Sequence, residues 1–98
     1  MISLDWQSQT FNSNCVDFFE KVSGSVHVFF GIYNNNKHTA DHRAVVKQSD
    51  AMYHYSLAGH GVSGITAEFT NLESLVERIS QDCRIFNLTD KVWLEAIN

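Results

Sequence analysis

Residues 25–69 constrain this chain most. They hold four strand-like stretches in succession, separated only by short polar or glycine turns. Residues 25–33, Ser-Val-His-Val-Phe-Phe-Gly-Ile-Tyr, are rich in β-branched and aromatic side chains. Val26, Val28, Phe30 and Ile32 share one face, and His27, Phe29 and Tyr33 the other. The asparagines of 34–36 predict a turn, because Asn tolerates positive φ and bonds its own backbone. Residues 43–48 form the next stretch, with Val45 and Val46 central. Ser49-Asp50 turns the chain into residues 51–58, where Tyr53, Tyr55 and Leu57 alternate with Met52, His54 and Ser56. Gly59-His60-Gly61 leads into residues 62–69. Strands joined by turns this short pair antiparallel.

Helical periodicity flanks this block. Residues 1–9 alternate weakly as a strand, with Ile2, Leu4 and Trp6 on one side. Asn12 is placed to cap a helix, with Phe11 and Val16 as a hydrophobic staple. Cys15, Phe18, Phe19 and Val22 line its apolar face, and Gly24 stands where a C′ glycine would end it. Further on, Thr70 and Glu73 spell a capping box. Leu72, Leu75, Val76, Ile79 and Cys83 then recur at helical spacing, opposite a wet face of Glu73, Glu77, Arg78 and Gln81. Residues 84–88 read as a short strand, and Thr89 as the cap of a last helix through Val92, Trp93, Ala96 and Ile97.

The expected order is β-α-β-β-β-β-α-β-α over one domain, residues 1–98. The expected class is α+β, two-layer, a mostly antiparallel sheet of four to six strands against two or three helices. Phe18, Val28, Phe30, Ile32, Leu72, Val76 and Ile79 are the expected core.

Composition narrows the function classes. Apolar residues make up 44% of the chain and charged residues 18%, which suits a globular domain. The net charge of −4 argues against direct nucleic-acid binding. No apolar run approaches the roughly 20 residues that span a bilayer, and no leader opens the chain. Cys15 and Cys83 both fall on apolar helix faces, as buried thiols in a reducing cytoplasm do. Without a leader the Asn87-Leu88-Thr89 sequon carries no weight.

The chemical motifs are weak. Gly59-His60-Gly61-Val62-Ser63-Gly64 matches G-x-G-x-x-G, but a strand pattern follows it where a dinucleotide site needs a helix N-terminus. His38, Asp41 and His42 group three possible metal ligands, with His54 and His60 farther on. Spacing fixes no third ligand beside the two histidines, and a catalytic zinc wants three. Neither cysteine has the polar setting of a nucleophile, and Ser63 lacks the G-x-S-x-G spacing. No catalytic residue, metal or cofactor is expected.

Charge and aromatics say more. Residues 68–98 carry Glu68, Glu73, Glu77, Asp82, Asp90 and Glu95 against Arg78, Arg84 and Lys91. Trp6, Trp93, Tyr33, Tyr53 and Tyr55 exceed what a sheet interior needs, and Tyr and Trp make good interface anchors. The expected function is a small non-enzymatic inhibitor or immunity-type protein blocking a basic protein surface. Toxin-neutralising proteins and phage anti-defence proteins, anti-CRISPR inhibitors among them, share its size, acidity and lack of motifs. Glu68, Glu73, Glu77, Tyr53 and Tyr55 are the candidate contacts. The alternatives are a small enzyme or metal-binding domain using His38, Asp41 and His42, and a homo-oligomeric subunit pairing through strand edges, a homodimer being the simplest case.

Overall fold

A computed structural model describes residues 3–11, 15–22, 24–34, 36–88 and 91–97. The elements are β1 (Ser3–Thr10), α1 (Cys15–Glu20), β2 (Ser25–Phe30), a 3-10 turn (Lys37–Thr39), β3 (His42–Ser49), β4 (Met52–Gly59), β5 (Val62–Phe69), α2 (Leu72–Ile85) and β6 (Lys91–Ile97). The strands form a six-stranded sheet in the order β1-β6-β2-β3-β4-β5, every pair antiparallel. The chain is therefore an α+β protein.

The expected β2–β5 meander is present: β5 keeps its expected bounds, β4 is shifted by one residue, β3 gains one residue at each end, and β2 is three residues shorter. β3 and β4 are joined by Asp50 and Ala51, whose φ angles of 53° and 61° give the twist that a two-residue hairpin needs. The G-x-G-x-x-G segment is the β4–β5 hairpin. β2 stops at Phe30 because Gly31 turns the backbone to φ +70°. Ile32 therefore leaves the sheet face assigned to it and is only half-buried.

Four further expectations are corrected. The α2 N-cap is Asn71, whose Oδ1 accepts the Ser74 N–H at 2.8 Å; Thr70 lies outside the helix. Residues 84–88 are not a strand. Arg84 and Ile85 finish α2, Asn87 takes a left-handed φ of 56°, and the Leu88 N–H returns to the Cys83 carbonyl at 2.8 Å. That is a Schellman cap with Asn in the glycine position. α1 ends at Glu20, so Gly24 stands beyond it, its carbonyl accepting the Gln48 N–H. The expected last helix is strand β6. It lies inside the sheet between β1 and β2, and Val92, Leu94 and Ala96 are fully buried at period two. The Asn12 cap falls outside the described residues.

The core joins one sheet face to both helices. Val26, Val28, Phe30, Ala44, Val46, Tyr55, Leu57, Val92, Leu94 and Ala96 cluster with Cys15 and Phe19 of α1 and with Leu72, Leu75, Val76, Ile79 and Cys83 of α2. Of the expected core, Phe18 is only half-buried, packed against this cluster. No helix among the described residues is long and apolar enough to cross a membrane.

Candidate surfaces for binding

Two surfaces stand out, on opposite sides of the sheet. The first lies on the helices. α2 is anchored by its apolar stripe, which leaves Glu73 and Glu77 exposed one turn apart. Beside them runs a groove of about 290 Å³ lined by Val16 of α1 and by Glu73, Val76, Glu77, Ser80 and Arg84 of α2. Asp17 and Glu20 are also exposed on α1, Glu20 one turn after Val16. Arg78 does not offset these carboxylates freely, since its Nε–H donates to both Asp82 oxygens at 3.2 Å.

The second surface is the sheet face turned away from the core. Register places Lys47, His54 and Glu68 in one row across β3, β4 and β5, and Val45, Ser56 and Thr66 in the next. Together they line a shallow trough of about 550 Å³. His54 Nδ1 and Glu68 Oε1 are 3.9 Å apart with both side chains well exposed, so the pair contributes little. Nearer β6, the loop after β2 folds back over this face. Lys37 forms an ion pair with Glu95 and lies 5.9 Å from the Trp93 ring centre. Phe29, directly opposite Trp93, is buried, and Trp93 Nε1 is buried without a hydrogen-bond partner.

The candidate contacts are thus divided. Glu73 and Glu77 share the helix groove, whereas Glu68 points from β5 to the other side of the sheet. Tyr53 is half-buried against the core. Tyr55 is 1% exposed and belongs to the interior, because its face of β4 is covered by α2. Its hydroxyl donates to Asp82 Oδ2 at 2.7 Å. Sequence reasoning missed Asp82, a carboxylate only 3% exposed, by counting it with the acidic surface. The signal was its position. Asp82 falls three residues after Ile79 and seven after Leu75, within the apolar stripe.

The alternative ligand group is not assembled. Asp41 Oδ2 accepts the Tyr33 hydroxyl at 2.8 Å, and that bond holds the phenol pKa above its ordinary value. His42 Nε2–H donates to the His60 carbonyl at 2.8 Å. His38 stands exposed on the 3-10 turn. Among the described residues no three His, Cys, Asp or Glu side chains are placed to hold a metal ion. Cys15 and Cys83 are buried thiols.

Compared with known proteins, the chain matches no family model, no curated protein and no solved structure. The geometry alone carries the functional reading.

Proposed function

We propose that this chain is a small non-enzymatic binding protein that blocks a basic surface of a protein partner, as inhibitors and immunity-type proteins do. In this reading the fold is a two-layer α+β scaffold, and the helix layer does the binding. The observation that carries it is the groove between α1 and α2, an apolar strip of Val16 and Val76 rimmed by exposed Glu73 and Glu77, with Arg84 as the basic residue of its lining. An apolar centre with a charged rim is the usual anatomy of a protein-binding patch. Carboxylates on a helix packed into the core are held where they steer a basic partner during encounter. A cytoplasmic setting fits the two buried thiols.

The test is partner capture from the native cell extract, followed by association kinetics. Glu73→Lys/Glu77→Lys should lower the on-rate about tenfold or more at low salt, with the fold retained. A folded double variant that associates at the wild-type rate would overturn the acidic-groove reading.

A further inference from the structure

Among the described residues β5 is an edge of the sheet, paired with β4 on one side only. Exposed edges recruit further strands, and proteins blunt them with Lys, Pro or bulges. β5 uses one such device. The register shifts between the pairs Leu57–Ile65 and Gly59–Val62, which leaves an extra residue in β5 around Ser63 and Gly64. The regular ladder therefore runs only from Ile65 to Phe69. That segment has no Lys, Arg or Pro, and its one charge is Glu68. Ile65, Ala67 and Phe69 face the core but are only half-buried, while Thr66 and Glu68 are exposed on the other face.

We propose that residues 65–69 pair with the same segment of a second copy, antiparallel about a two-fold axis at Ala67, so that two sheets become one. The side chains select this register. Residues opposite each other must lie on the same sheet face, so the axis falls on a residue and not between two. An axis at Glu68 sets two carboxylates against each other. An axis at Thr66 puts Glu68 opposite Gly64, inside the bulge. The axis at Ala67 sets Ile65 opposite Phe69 twice and Thr66 opposite Glu68 twice. It covers the half-buried apolar edge and brings no like charges together. This interface does not depend on the helix groove.

Sedimentation equilibrium of the full chain over a range of concentrations tests it. The wild-type chain should show a monomer–dimer equilibrium. Thr66→Glu creates two facing carboxylate pairs and should raise the dissociation constant about five- to tenfold. Adding Glu68→Lys to that variant should restore pairing, and Thr66→Lys alone should tighten it. Circular dichroism checks that each variant is folded. If Thr66→Glu does not fold, Thr66→Lys decides: tighter association supports the interface, and unchanged association overturns it. A wild-type chain that stays monomeric also overturns it. So does a dimer that folded Thr66→Glu leaves intact, or one broken by Glu73→Lys/Glu77→Lys instead.

Discussion

The Tyr55 hydroxyl, on the middle of β4, donates a 2.7 Å hydrogen bond to the Asp82 carboxylate in the last third of α2. Both residues are buried, and Arg78 completes the group from one turn earlier on the helix. Burial first, then the bond to Asp82, raises the phenol pKa, so Tyr55 remains a donor at any physiological pH. Tyr55→Phe should cost about 1–2 kcal/mol, because Asp82 loses a donor but keeps Arg78. Asp82→Ala should cost about 2–3 kcal/mol, since the Tyr55 hydroxyl is then buried unpaired. In a double-mutant cycle by urea unfolding, the two costs should fail to add by about 0.5–3 kcal/mol. Additive costs would show that the bond does not couple helix to sheet.

Gly59 is held by close approach. A Cβ there would lie 2.5 Å from the Asp41 carbonyl oxygen and 2.7 Å from the His42 Cα, both backbone atoms. At Gly61 nothing lies within 4 Å. Gly59→Ala should therefore destabilise by about 1–3 kcal/mol more than Gly61→Ala. Equal melting temperatures for the two variants would contradict this packing of the hairpin against the start of β3.

Ile79 and Leu94 are fully buried on the helix and sheet sides of one core, while Ile85 is 69% exposed at the end of α2. Ile79→Ala and Leu94→Ala should each cost about 2–5 kcal/mol, the spread reflecting how far the cavity collapses. Ile85→Ala should change stability by less than about 0.5 kcal/mol. Thermal unfolding checks all three. A mild Leu94→Ala would return β6 to the helical reading of its sequence.

His27 sets a pH limit. Partial burial lowers its imidazole pKa below 6.5, and Arg43, Lys47 and Lys37 add to the effect. Glu95 lies directly opposite His27 but is engaged by Lys37. Between the lowered pKa and 6.5 the folded chain binds fewer protons than the unfolded one. Stability therefore rises with pH through that window and is lost as pH falls below about 6.5. His27→Gln should flatten this acid limb. The urea midpoint of the wild type should drop more between pH 7 and pH 5 than that of the variant. Parallel drops would remove His27 as a cause.

Local pattern was sufficient where neighbours in sequence are neighbours in space. The apolar stripe of α2 and the β2–β5 meander were legible because their contacts are one helical turn or one hairpin away. Periodicity also made Glu73 and Glu77 surface residues. Their groove was not legible, since it needs α1 brought against α2. Residues 91–97 were misread because Val92, Trp93 and Ala96 also fit a helical face over so short a run. Only the sheet resolves that ambiguity: β1 and β2, remote in sequence, satisfy both edges of β6, and burial of Val92, Leu94 and Ala96 selects period two. Asp82 shows the same limit from the other side. Its charge marks it as surface; Arg78 is a local partner one turn earlier on the same helix, but the Tyr55 hydroxyl reaches its Oδ2 only once β4 packs against α2. The sequence by itself determined the helices and hairpins whose stabilising contacts are local. The tertiary structure decided whatever depends on a partner far along the chain, because the free energy of those contacts exists only once the distant segment is in place.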